Sequence, residues 1–218
     1  MHRSFVRLNE VFTEKIVEKC KDKKVLLTLS GGLDTRAILS VLCKHEIHCD
    51  AITHTASGVL WDVKIAKKIS KDIKYIDHHY IRKVSSLDEA ERIFDELSDL
   101  YDIILFGTWI SGLFDKYEHV ELSEKKLNQR IEEGFRYIKM WKNRWKNAYF
   151  PVEEKDILNV LEDIPIIYRY FHYPQRCIIM LNYPKLMNYP YTTFNLRKRV
   201  ARIIHWKSVW IMEKIMGW

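Results

Sequence analysis

No CxxC pair occurs among the four cysteines, Cys20, Cys43, Cys49 and Cys177. A zinc ribbon or iron–sulfur site therefore has little support, and buried or semi-buried thiols in a reducing compartment are expected. No apolar stretch approaches the ~18–20 residues of a spanning helix, so neither a membrane span nor a membrane partner is expected. The opening segment MHRSFVRLNEVF has no apolar core followed by a small-residue cleavage site. It does not read as a signal peptide, and a cytoplasmic location follows as an expectation. Internal repeats and low-complexity tracts are absent. Disorder is excluded as well, because 47% of the residues are hydrophobic and 30% are charged.

What is present is a 218-residue chain, long enough to bury a full core as one large domain or as a core with a smaller appendage. Its net charge of +7 is unevenly placed: residues 1–125 carry 19 basic and 21 acidic side chains, residues 126–218 carry 17 and 8. The basic second half suggests an anionic partner, a nucleotide or a nucleic acid, with a solvated surface as the equal alternative.

Along the first half, helix and strand patterns alternate. Residues 8–20 read as an amphipathic helix and Val25–Leu29 as a strand buried on both faces. Thr35–Lys44 reads as a helix, 49–55 as a strand, Trp61–Ser70 as a helix and 73–76 as a strand. Ser86–Leu100 reads as a helix opened by a capping box at Ser86 and Glu89, and 102–107 as a strand. This alternation predicts an α/β fold whose mostly parallel sheet has helices on both faces, with ligands beyond the carboxyl ends of the strands. The pattern then changes. Residues 121–148 read as one long helix, and Phe194–Met216 as another, in an aromatic, basic stretch interrupted by Pro165, Pro174, Pro184 and Pro190. The expected division is a nucleotide-binding core at 1–120 and a helical extension at 121–218 packed on it.

The segment Leu29-Ser30-Gly31-Gly32-Leu33-Asp34-Thr35-Arg36 joins a buried strand to a helix start. Two glycines permit close approach to an anion and positive φ. Amides of the turn and of the helix N-terminus would face that anion, with Ser30 and Thr35 adding hydroxyls. Asp34, an acceptor where negative charge is expected, makes sense if Mg²⁺ accompanies phosphates. Neither the Walker loop nor GxGxxG occurs; the alternative is a plain Gly-Gly turn with Asp34 as helix N-cap.

Ser-Gly-Gly-x-Asp-Thr after the first strand resembles the pyrophosphate loop of the N-type ATP pyrophosphatases (PP-loop superfamily). Within it the chain is similar to the synthetase domain of the asparagine synthase family. Asp62-x-x-x-Ala66, ILFGTWISGLFDKY at 104–117, YFHYPQRCIIM at 170–180 and NYPY at 188–191 carry that resemblance. It implies a five-stranded, HUP-like parallel sheet with a C-terminal helical region. It further implies an ATP- and Mg²⁺-dependent, AMP-forming ligase that adenylates a small carboxylate. Leu29, Ser30, Gly31, Gly32, Asp34 and Thr35 would hold the pyrophosphate, and Thr53 and Gly107 would border the nucleotide. Asp34 would hold the metal. Asp34, Arg176 and Lys198 are the catalytic candidates, with Arg197 beside them.

The departures are specific. The family's second-loop Asp-Glu pair falls on Ser111 and Gly112, leaving Asp34 and nearby Asp115, and the Asp of its Pro-Phe-x-Asp falls on Thr193. No glutaminase domain or Cys nucleophile is present, so external ammonia or a partner glutaminase is implied. A tRNA-modifying PP-loop enzyme with a tRNA partner is the second reading; a non-catalytic nucleotide-binding relative is the third. The run Arg197, Lys198, Arg199, Arg202 reads as a solvated face or as a clamp for phosphates or RNA. Asp77-His78-His79 is similar to the DHH phosphoesterase motif but lacks the further Asp and His clusters those metals need. His45 and His48 read as surface residues. The Trp141/Trp145 and Trp206/Trp210 pairs read as core or interface packing, with base stacking as the lesser alternative.

Overall fold

The computed structural model describes residues 3–55, 60–107, 124–165, 169 and 172–190, together with 204, 207 and 211. Helix α1 (Arg3–Cys20) leads into strand β1 (Val25–Thr28), helix α2 (Leu33–Lys44), strand β2 (Cys49–Thr55) and helix α3 (Leu60–Asp72). Strand β3 (Ile76–Lys83), helix α4 (Leu87–Ser98) and strand β4 (Ile103–Leu105) follow, then helix α5 (Glu124–Arg144) and strand β5 (Ala148–Tyr149). Helices α6 (Lys155–Glu162) and α7 (Tyr173–Asn182) and a 3₁₀ turn at Pro184–Asn188 complete the described chain.

The five strands form one sheet in the order β3-β2-β1-β4-β5, and every pairing is parallel. The fold is therefore α/β, as expected from the alternation. The central strand β1 sets Leu26 opposite Asp50 on one side and Ile104 on the other. Because parallel crossovers are right-handed, α2 and α3 cover one face; the chain must then return past β1 to reach β4, which puts α4 over the other. The direction of winding reverses between β1 and β4, so β1 is the topological switch point of the sheet.

Burial explains the layers. On α1, Phe5, Leu8, Phe12 and Ile16 are fully buried at helical spacing, each contributing about 1.5–3 kcal/mol of apolar burial. That stripe packs against α2, α6 and α7. On the opposite face Phe94, Phe106, Trp141, Trp145 and Phe150 form an aromatic cluster with centroids 4.7–6.3 Å apart between neighbours. The Trp141/Trp145 pair is thus packing, as its spacing suggested. Arg144, at the end of α5, clamps α4 through both carboxylate oxygens of Asp95 and through Glu91. The four cysteines are free and buried, and burial pushes Cys20 and Cys43 up to about 12 and Cys49 well above its ordinary value.

Two elements differ from the sequence reading. Residues 73–75 lie outside the third strand: Ile73 closes α3 through its amide to Ile69, and β3 opens only at Ile76, whose amide donates to Ile73 O. The strand uses the polar run IDHHYIRK instead, which an edge position with largely exposed side chains tolerates. The fifth strand begins at the last residue of the stretch read as helix to residue 148. Helix α5 stops at Arg144, and the Asn147 side chain donates to the Ser98 and Tyr101 carbonyls, docking Ala148–Tyr149 beside β4. The sheet is therefore completed by residues beyond the expected core of 1–120. The capping box is present, with Glu89 N donating to Ser86 Oγ at 3.2 Å, but the Glu89 carboxylate accepts from Ser85 rather than Ser86.

Candidate functional site

The loop after β1 is shaped by close approach rather than by unusual backbone angles. Leu29 N still donates to Ile52 across the sheet, and Thr53 Oγ1 donates to Leu29 O at 2.7 Å, so the chain leaves the strand rigidly. Gly32 is the N-cap of α2, with φ −75° and ψ 166°, an extended conformation open to any residue. Positive φ, expected at these glycines, is not used. Room is the reason for glycine: a Cβ on Gly31 would lie 2.7 Å from Asp62 Oδ1 and 3.1 Å from Asp62 Cα. One on Gly107 would lie 2.6 Å from Thr35 Cγ2 and 3.0 Å from Thr35 N. The two glycines let α3 and the end of β4 press directly against the loop and the first turn of α2.

Asp34 sits in that first turn and is not the N-cap. Ser30 and Thr35 close the loop on itself. Gly32 N donates to Ser30 Oγ at 3.1 Å, Ser30 N donates to Thr35 Oγ1 at 3.2 Å, and the two hydroxyls are 3.2 Å apart. Two loop amides therefore already hold hydroxyl oxygens, contrary to the expectation that the turn's amides all face outward. These are long bonds to rotatable groups, which a phosphate oxygen can replace with stronger, charge-assisted ones.

A cavity of about 650 Å³ opens at the carboxyl ends of β1, β2 and β4. It brings Ser30, Gly32, Asp34 and Thr35 together with Thr53 and Gly107, and Leu29 lines it too. Of the residues expected to hold the pyrophosphate or border the nucleotide, Gly31 alone is outside the lining; it lies behind the loop, against Asp62 and Ile65. Asp62, singled out from sequence only by its spacing to Ala66, lines the same cavity as Asp34. The far wall is His54, Ser85, Ser86 and Phe94, none of which the sequence reading marked as site residues. His54 packs on the Phe94 ring at 4.9 Å, and burial lowers its pKa. His79 bridges Thr53 Oγ1 and Ser70 Oγ at 2.8 Å each. Thr53 Oγ1 and Ser70 Oγ also donate to the Leu29 and Lys67 carbonyls, and burial, then Lys67, lowers the His79 pKa.

The C-terminal arm grips the loop from behind. Arg36, 0% exposed, donates to Gly31 O at 2.6 Å and to the Tyr189, Pro190 and Leu186 carbonyls at 2.8, 2.5 and 3.3 Å. Gln175 Nε2 donates to Asp34 Oδ1 at 3.1 Å. The NYPY stretch thus supplies carbonyls to a buried arginine. An arginine beside Ala37 and Ile38, on a face that must pack inward, was the available signal for it. Arg176 follows Gln175 on α7, half-buried and outside the cavity lining. Lys198 lies outside the described residues, as do Arg197, Arg199, Arg202, Trp206, Trp210 and most of the helix expected at Phe194–Met216. The second-loop positions Ser111, Gly112 and Asp115, and Thr193, also lie outside them.

The Asp77-His78-His79 run does not assemble a metal site. Asp77 pairs with His48 at 2.7 Å, and His78 with Asp50 at 3.0 Å, at the opposite end of the strands. Among the described residues no group of three His, Cys, Asp or Glu side chains is placed to hold a metal.

No family model matches the chain, and no curated protein matches it. Among solved structures, NMN synthetase from Francisella tularensis is similar over 65% of this chain, at 14% identity and a TM-score of 0.31. The match takes in 52% of that protein, so this chain spans about half its length.

Proposed function

We propose that the chain binds ATP and transfers its adenylyl group to a small carboxylate, as an asparagine synthase-like ligase of PP-loop type. The observation that carries this reading is the cavity at the switch point of the sheet, where Ser30, Gly32, Asp34 and Thr35 meet Thr53 and Gly107. A rim of hydroxyls and backbone amides at the start of a helix suits a triphosphate. The Phe94 and His54 side, one aromatic pair deep, suits a base.

The donor set fits Mg²⁺ delivered with the nucleotide. Two carboxylates, Asp34 and Asp62, line the cavity, and Mg²⁺ characteristically takes one or two carboxylates plus substrate phosphates rather than an all-protein cage. Bound there, Mg²⁺ would neutralise charge on the leaving pyrophosphate. The chain's own residues would do the rest. Ser30 and Thr35 would turn their hydroxyls from each other to the phosphates and release the amides of Gly32 and Ser30 to the same oxygens. Arg36, fixed by four carbonyls, would hold Gly31 against rearrangement. In the reaction a carboxylate oxygen attacks the α-phosphorus and the bond to pyrophosphate breaks. Ammonia, free or from a partner glutaminase, then attacks the acyl carbon and AMP leaves with the amide formed. Such chemistry rests on positioning and on charge held in place beforehand.

Pyrophosphate release from ATP, measured across a panel of carboxylates with ammonia and separately with total tRNA, tests the reading. Release dependent on a carboxylate and ammonia is the expected result. Release dependent on tRNA alone would replace the carboxylate ligase with the RNA-modifying alternative, and ATP binding without turnover would leave a nucleotide-binding relative.

A further inference from the structure

Gln175 is 0% exposed and stands in the first turn of α7, a helix packed along α2. Its Nε2 donates to Asp34 Oδ1 at 3.1 Å, which fixes the orientation of its amide because a carboxylate can only accept. Its other half, Oε1, is buried and has no hydrogen-bond partner among the described residues. A buried acceptor left unpaired is destabilising, so an amide here is worse for stability than an apolar side chain of the same shape. The helix start that places it is also costly. His172, directly before α7, has φ 58°, in the left-handed region that is strained for a non-glycine residue. Two local penalties converge on one contact, between the C-terminal arm and the carboxylate of the loop.

We infer that Gln175 is a positioning residue for the cation that accompanies the nucleotide: from behind the cavity it holds the Asp34 carboxylate in the orientation in which that group would meet the cation. The inference rests on the reading of Asp34 given above. It assigns a binding role to the arm, whose main visible work is otherwise to bury Arg36. Residues that orient a metal-binding carboxylate typically matter 10–100-fold for the metal while leaving the other ligand contacts in place.

The test is the gain in ATP affinity produced by Mg²⁺, measured by calorimetry on the full chain. Four proteins are compared: wild type, Gln175→Met, Gln175→Asn and the reference Asp34→Asn. Met keeps the volume and removes the donor; Asn keeps the amide but withdraws it by one methylene, and serves if Met does not fold. The expected result is that the Mg²⁺ gain falls about tenfold in Gln175→Met, less in Gln175→Asn and most in Asp34→Asn. ATP affinity without Mg²⁺ should move by less than about twofold, a split that a merely structural residue would not produce. A folded Gln175 variant with the wild-type Mg²⁺ gain, or one that loses ATP affinity equally with and without Mg²⁺, overturns the inference while the site reading stands. Failure of the wild type to bind ATP at all overturns the site reading and the inference with it.

Discussion

The two ends of the same sheet are built from similar residues to opposite effect. At the amino ends of β2 and β3, polar groups are consumed by one another. His48 meets Asp77, and Asp50 takes both His78 and the Tyr101 hydroxyl, the latter at 2.6 Å. At the carboxyl ends, glycines and hydroxyls stand around an open cavity, two aspartates line it, and His54 Nε2 and Gln175 Oε1 lie buried without partners among the described residues. A surface whose polar groups satisfy each other has nothing left to offer a ligand. One that keeps unsatisfied groups on or behind the wall of a void carries a stability cost, which is where binding is to be sought.

The largest effect should come from the support of the carboxyl end. Arg36→Met strips the donor from four carbonyls in a fully buried place, and a loss on the order of 3 kcal/mol or more is expected. Urea denaturation measures it; a loss near zero would mean the arm is not held by this residue. Next comes Gly31→Ala, whose methyl meets the Asp62 backbone. Overpacking of this kind costs about 1–3 kcal/mol, and ATP affinity should fall at least tenfold because α3 or the loop must shift. Thermal melts and ATP titration of the same protein separate the two effects.

The pH response should distinguish the ends in a gentler way. Burial lowers the pKa of His54 and, with Lys67, of His79, so the folded protein binds these protons less readily than the unfolded chain, whose histidines titrate near ~6.5. Their contribution is then complete above pH ~6.5 and is lost as pH falls below it toward the folded values. A melting temperature that drops from pH 7 to pH 5, and drops less in His79→Asn, is the expected pattern. The smallest effect belongs to the amino end. Asp77→Asn breaks an exposed pair, which should cost under about 1 kcal/mol and leave ATP binding untouched. A change in ATP affinity there would blur the contrast between the two ends.

Much of this was legible in the sequence because it rests on local pattern. The alternation of apolar runs and helical stripes gave the parallel sheet, and Ser-Gly-Gly-x-Asp-Thr after a buried strand marked the loop that lines the cavity. What escaped depended on distant partners. Nothing local says that Gln175 reaches Asp34 across 141 positions or that Arg36 gathers carbonyls from 186–190. The edge strand β3 was misplaced because Ile73 and Tyr75 are as apolar as a strand while the strand itself is polar. The short β5 was missed because two residues at the end of a helical stripe carry no period of their own. The conformation of the glycines was misread because sequence shows that room is needed but not whether neighbour or backbone angle demands it.

The central claim is that the loop after β1 receives the phosphates of ATP. The most direct measurement follows the backbone amide resonances of Gly31, Gly32 and Thr35 in a ¹⁵N-labelled sample as pyrophosphate, and then ATP with Mg²⁺, is added. These amides should shift saturably with both ligands, while those of Asp50 and Asp77 at the other end stay in place. Saturable shifts elsewhere with the loop amides unmoved, or no shifts at millimolar ligand, would contradict the account.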